Sequence, residues 1–183
     1  MKVIKEKNFV LKNTCVTIGK FDGVHMGHRR ILRKMNRIKE EQGLKTVVLT
    51  FDYSYFSTDK EERLDSYDEK IKLLEASGVD IMIDYPFDDD TRTQSAEDFI
   101  KKVLVEKLGA KAVIVGDNFK FGYKASGDTE MLKKYGNELG FKTIVIPCVE
   151  YRGSAVSSTR IREELMSGHE EEALEMLCRK GGS

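Results

Sequence analysis

Short, β-branched apolar runs punctuate the chain at 15–18, 46–51, 79–85, 112–115 and 143–146. Each begins roughly 30 residues after the last, the length of one strand-plus-helix unit. The stretches between them follow a helical period. Ile31, Leu32, Met35 and Ile38 share one face after His28. Ile71, Leu73 and Leu74 mark a second helix over 68–76, closed by Gly78. Ser95, with Asp98 three residues on, starts a third helix, whose stripe Phe99, Ile100, Val103 and Leu104 runs to Gly109. Met131, Leu132, Tyr135 and Leu139 form a fourth, ending at Gly140, and two short helices follow at 158–166 and 170–178. The pattern predicts an α/β fold: a five-stranded parallel sheet, doubly wound, with helices on both faces and short C-terminal helices. Ligands of such sheets bind beyond the carboxyl ends of the strands, so the loops to search are 19–27, 52–62, 86–94, 116–128 and 147–157.

Composition narrows the class. The 183 residues suit one domain, expected over 1–180, with the last residues a frayed end. Lys and Arg balance Asp and Glu at 31 each, which gives no reason to expect nucleic acid or a membrane as partner. The N-terminus MKVIKEKNFV lacks a signal-peptide core, and no apolar run approaches a membrane span. Cys15, Cys148 and Cys178 form no CxxC pair and are read as reduced thiols of a cytoplasmic protein.

The chemistry concentrates at residues 17–28, TIGKFDGVHMGH, which hold two of the three histidines and the glycines Gly19, Gly23 and Gly27. The stretch is neither GxGxxG nor a P-loop. Its physics is related. Glycine lets backbone approach a ligand, and a helix starting near Gly27 offers unpaired N–H groups to an anion. His25 and His28 add two imidazole donors at the same place. Two histidines could also begin a zinc site, but neither His169 nor the cysteines supply a third ligand at motif spacing, so no metal site is assigned. The acidic run Asp88-Asp89-Asp90 is read as a solvated turn.

His-x-Gly-His at a strand-to-helix turn resembles the phosphate signature of the nucleotidylyltransferase superfamily. The longer string Gly19-Lys20-Phe21-Asp22-Gly23-Val24-His25-Met26-Gly27-His28 is similar to the form typical of the FMN adenylyltransferase (FAD synthetase) module of bacterial bifunctional riboflavin kinase/FAD synthetases. Two further segments resemble that family. Val156-Ser157-Ser158-Thr159-Arg160-Ile161-Arg162 matches its I-S-S-T-x-I-R motif. Ser158 and Thr159 are expected to cap a helix, and Arg162, with Arg160 in the variable slot, to supply charge-assisted bonds to phosphate. Gly116-Asp117-Asn118-Phe119-Lys120-Phe121-Gly122, with Gly127-Asp128 following, matches the stretch that borders the nucleotide and flavin. Asn118 can read a polar ring edge, while Phe119 and Phe121 can pack in the core or against a flat ring.

The resemblance implies a Rossmann-like fold and the reaction ATP + FMN → FAD + pyrophosphate. The FMN phosphate would attack the α-phosphorus in line, without a covalent enzyme intermediate. It implies His28 and His25 at the α/β-phosphates, Ser158, Thr159 and Arg162 at the departing pyrophosphate, and magnesium bridging phosphate oxygens. The sequence departs from the family after the second run, where Phe51-Asp52-Tyr53-Ser54-Tyr55-Phe56 replaces F-(E/D)-P-H-P. These aromatics could stack on an isoalloxazine ring or form a mobile hydrophobic lid. The riboflavin kinase domain would begin near residue 180, so phosphorylation of riboflavin by this chain is not expected. Two alternatives stay open: transfer to another acceptor such as phosphopantetheine, nicotinamide mononucleotide or glycerol phosphate, and a non-catalytic nucleotide- or flavin-binding module.

Overall fold

The computed structural model describes residues 1–52 and 63–179. The elements run β1 (Lys2–Ile4), β2 (Thr14–Ile18), α1 (Met26–Gln42), β3 (Lys45–Asp52), α2 (Tyr67–Ala76) and β4 (Ile81–Pro86). Then come α3 (Asp89–Thr93), α4 (Ala96–Asp98, continued by a π-helix at Phe99–Lys107), β5 (Ala110–Gly116), α5 (Thr129–Leu139) and β6 (Lys142–Ile146). A hairpin of β7 (Glu150–Tyr151) and β8 (Ser154–Ala155) leads into α6 (Ser158–Met166) and α7 (Glu170–Met176).

The main sheet has six parallel strands in the order β1-β4-β3-β2-β5-β6, one more than the pattern predicted. The extra strand is β1, whose three residues pair Lys2 with Ile81 through Ile4 with Ile83. Three residues are too few to display a period, and only Ile4 is buried. The long runs are apolar on both faces because both faces are covered. Val16, Leu49, Ile83 and Val113 point to one layer, closed by Ile100, Leu104 and Leu132 from α4 and α5. Their neighbours Cys15, Val48, Met82 and Ile114 point to the other, closed by Leu32, Met35, Ile38 and Leu74 from α1 and α2.

Two connections differ from expectation. Residues 99–107 carry the predicted apolar stripe but wind as a π-helix, and the Leu108 N–H reaches back five residues to the Val103 carbonyl. The acidic run is not only a solvated turn: Asp88 caps α3 by accepting from the Thr91 N–H and pairs with Lys7 at 2.6 Å.

Strand order reverses at β2, which lies between β3 and β5. The carboxyl ends of β2 and β5 therefore flank a crevice, the standard ligand position of such sheets. The β5 loop is held in place by two glycines. Gly122, at φ +74°, packs so closely on α4 that a Cβ would sit 2.6 Å from the Ala96 backbone. Gly127 leaves the same clearance to the Phe121 ring, and the two residues bond as an isolated antiparallel bridge. Gly122→Ala is expected to destabilise the protein by at least about 2 kcal/mol in urea denaturation, from left-handed backbone strain plus the clash. An unchanged midpoint would show that α4 can withdraw.

Candidate active site

Seven residues, 19–25, turn the chain from β2 into α1. The turn is tight enough to drive Phe21, Gly23 and Val24 to φ of 50°, 85° and 39°. A valine there is a conformational outlier that only its surroundings can enforce. Its surroundings are explicit. Gly23 sits between Leu64 and Leu177, each of which would lie 2.8 Å from a Cβ. Val24 and Phe21 are buried in the α1/α2 layer. The Asp22 carboxylate accepts the Leu64 N–H at 3.0 Å on Oδ1 and Arg162 at 2.8 Å on Oδ2, and its carbonyl accepts the Ser158 hydroxyl at 2.8 Å.

This turn stacks three rings. Phe21 and His28 lie 4.6 Å apart, His28 and His25 3.7 Å, centroid to centroid. His25 is buried and His28 half-buried, and the Nδ1 atoms of both have no hydrogen-bond partner. Buried polar atoms are nearly always paired, so two orphans side by side mark a place prepared for a ligand. Burial pushes the His25 imidazole down to about 4. His28 is held well below the ordinary histidine range, first by burial and then by the positive ends of His25 and Lys70. Two charges at this ring separation would repel by on the order of 4 kcal/mol at an effective dielectric of about 20, so the pair is neutral without a ligand. His25 is also the N-cap of α1 and makes no side-chain cap, and the first turn has no acidic residue. The helix start and the imidazoles together offer donors and a positive dipole end to an anion.

Charged groups back the loop. Lys70 on α2 donates to the Lys20 carbonyl at 2.9 Å; burial lowers its ammonium, and Asp84 on β4 partly restores it. Asp65 is fully buried and pairs with Arg179 after α7. Neither Lys70 nor Asp84 stands in a recognisable motif, and they come from different elements, so the sequence pattern did not reveal them.

The second part of the site is an aromatic cleft of about 180 Å³ beginning at Ile18, the last residue of β2. Phe51, Phe87, Phe99, Phe119 and Phe121 line it, with Thr91, Gln94 and Lys120 at polar positions. Phe119 stacks on Phe121 at 5.4 Å; Phe121 is buried and Phe119 only partly so, which divides core and surface between them. Phe87 and Gln94 went unmarked in the sequence because their loop carries no motif. Tyr53, Ser54, Tyr55 and Phe56 lie outside the described residues.

Several expected site residues make architectural contacts. Ser157, not Ser158 or Thr159, caps α6, accepting from the Arg160 N–H. Ser158 is thereby free to tie α6 to the histidine turn, and Thr159 is exposed. One terminal nitrogen of Arg160 donates to the carbonyls of Tyr151, Ser154 and Ala155 in the β7–β8 hairpin, and its Nε lies 3.7 Å from Glu164. Asp128 caps α5 through the Met131 N–H and pairs with Lys120. Asp117 accepts the Cys148 N–H, joining the ends of β5 and β6, and Asn118 is exposed beside it. The residues gathered at the histidine turn are Phe21, Asp22, His25, His28, Ser158 and Arg162; Gly19, Lys20 and Gly27 frame it. A Cβ on Gly27 would approach the His25 ring at 3.2 Å.

Residues 7–160 match the family described as FAD synthetase. The chain belongs to the FAD synthetase family. A bifunctional riboflavin kinase/FMN adenylyltransferase of Buchnera aphidicola (Schizaphis graminum) is 36% identical over 91% of this chain and 55% of its own length. The chain spans about half the length of the curated relatives it matches. Among solved structures, a Streptococcus pneumoniae protein described as a macrolide-efflux protein superposes with a TM-score of 0.86 at 27% identity, over 97% of this chain and 61% of that one. Pantoate–β-alanine ligase from Francisella tularensis superposes at 0.54 with 13% identity, over 91% of this chain and 79% of that one, and shares the fold. No helix among the described residues is long and apolar enough to cross a membrane.

The histidine turn predicts a pH signature. His25 binds its proton more weakly folded, at about 4, than unfolded, near 6.5. The unfolded chain therefore takes up more protons between these values, and stability falls as pH drops from 6.5 towards 4. His25 alone accounts for at most about 3 kcal/mol of that loss. Denaturation midpoints measured across this window should fall more steeply for the wild type than for His25→Phe. Equal slopes would mean the imidazole is not buried neutral.

Proposed function

We propose that this chain transfers AMP from ATP to FMN, giving FAD and pyrophosphate, in the cytoplasm. The observation that carries the reading is the pair of orphaned imidazoles at the start of α1, in the turn whose Asp22 binds Arg162 and Ser158 of α6, with an aromatic cleft beginning at Ile18 just before that turn. The names of the bifunctional relatives support the same reaction. Three free cysteines accord with a reducing compartment.

The α- and β-phosphates lie on the α1 N-terminus, with His25 and His28 donating to oxygens whose charge grows as the α-phosphorus is attacked. Arg162 and the α6 N-terminus take the pyrophosphate. The FMN phosphate is already anionic at neutral pH, so attack needs no general base, and positioning and charge stabilisation supply the catalysis. The flavin ring enters the cleft among Phe51, Phe87 and Phe119. Among the described residues no group of three or more His, Cys, Asp or Glu side chains is arranged to hold a metal. Magnesium would accompany the ATP substrate as counter-ion to its phosphates.

The direct test offers magnesium-ATP with FMN, phosphopantetheine or nicotinamide mononucleotide in separate reactions and separates the products. FAD and pyrophosphate with FMN alone are expected; turnover only with another acceptor would overturn the assignment. His28→Phe keeps the ring stack and removes both nitrogens. It should lower kcat by about 10²–10³ with the fold intact, the usual cost of one preorganised donor. Phe119→Ala should raise KM for FMN several-fold, with KM for ATP unchanged, since stacking on one aromatic ring is worth about 1 kcal/mol.

A further inference from the structure

Asp22 lies in the motif that resembles the phosphate signature, yet both oxygens of its carboxylate are engaged by groups of the chain itself. Oδ1 accepts the backbone N–H groups of Leu64, at 3.0 Å, and Asp65, at 3.4 Å. Oδ2 takes one terminal nitrogen of Arg162 at 2.8 Å. The Asp22 side chain is 14% exposed and that of Arg162 29%, so the pair is shielded enough to hold its geometry. The remaining N–H groups of the Arg162 guanidinium have no partner among the described residues. The arginine is thus fixed at one nitrogen and open at the rest, beside the turn that carries His25 and His28. The Ser158 hydroxyl on the Asp22 carbonyl fixes the start of α6 to the same residue. A planar guanidinium loses less freedom on binding when one edge is already anchored.

We infer that Asp22 is a positioning residue that holds Arg162 ready for a triphosphate, locking α6 to the histidine turn before the nucleotide arrives. This rests on the nucleotide-binding part of the proposed function and is independent of the acceptor. Arg162 touches the phosphate; Asp22 acts through it. The two carboxylate oxygens divide the work. Oδ1 serves the chain entering α2, and Oδ2 serves α6. An isosteric amide separates these duties: Asp22→Asn keeps an oxygen for Leu64 and Asp65 and presents to Arg162 an NH₂ that cannot accept its proton.

The test is a double-mutant cycle on binding, read by calorimetry with inorganic tripolyphosphate and with α,β-methylene-ATP, without FMN. Asp22→Asn should weaken both ligands about tenfold, the loss of one anchored charge-assisted contact. In the Arg162→Gln background, Asp22→Asn should cause no further loss. Circular dichroism checks the fold, and Asp22→Ser supplies the same cycle should the amide variant not fold. Wild-type affinity in Asp22→Asn would overturn the inference. So would an equal loss in both backgrounds, since a purely structural role does not pass through Arg162. Absence of binding by the wild-type protein would overturn the inference and the nucleotide reading together, whereas wild-type binding with an insensitive Asp22 would leave the nucleotide reading standing.

Discussion

Everything at the candidate site depends on one constraint: the chain must turn from β2 into α1 in seven residues while burying most of them. Local preference alone would not choose that path, because Phe21 and Val24 stand in the left-handed region. It is imposed from outside. Leu64 and Leu177 close on Gly23, Asp22 gathers the entries to α2 and α6, and Lys70 reaches back to the Lys20 carbonyl. The turn is thus held by three elements far apart in sequence, each anchored by its own apolar contacts. Such strain persists only where the surroundings over-determine it.

The same enclosure explains the histidines. With His28 stacked on Phe21 and His25 on His28, burial makes both rings bind protons weakly and leaves two nitrogens unpaired. An unpaired buried nitrogen costs on the order of 1–3 kcal/mol. The two-faced core of the sheet can carry that cost, and an anion on the α1 N-terminus would relieve it. An arginine already oriented by Asp22 and imidazoles already desolvated need little rearrangement when charge develops, which is where catalytic electrostatics gains most. The aromatic cleft begins one residue before the turn, so an acceptor ring and a phosphate chain can meet at the carboxyl end of β2.

Much of this was legible in the sequence where the signal was local and long. The inner strands announce themselves as apolar runs because both faces are covered, and α5 ends at the Gly140 cap that its stripe predicts. The histidine turn is visible because glycines and histidines crowd into one segment. What stayed hidden was either short or distributed. β1 has three residues, α3 five, and each strand of the β7–β8 hairpin two, all below the length at which a period can show. Motif position does not show how each side chain turns. Arg160 and Arg162 lie two residues apart on α6, yet one turns to hairpin carbonyls and the other to Asp22. Asp128, which reads as a site residue, also caps α5. Lys70 on α2 and Asp84 and Phe87 on and just after β4 meet the site only through the topology.

The central claim is that the orphaned imidazoles of His25 and His28 await phosphate. The most direct measurement is nitrogen-15 NMR of the histidine rings during titration with α,β-methylene-ATP. The account predicts that both rings are neutral at pH 6 in the free protein, and that saturation shifts their ring nitrogens into the hydrogen-bonded range and raises their pKa values. If the analogue saturates the protein while both ring spectra stay unchanged, the histidine turn does not hold the phosphates and the account is contradicted.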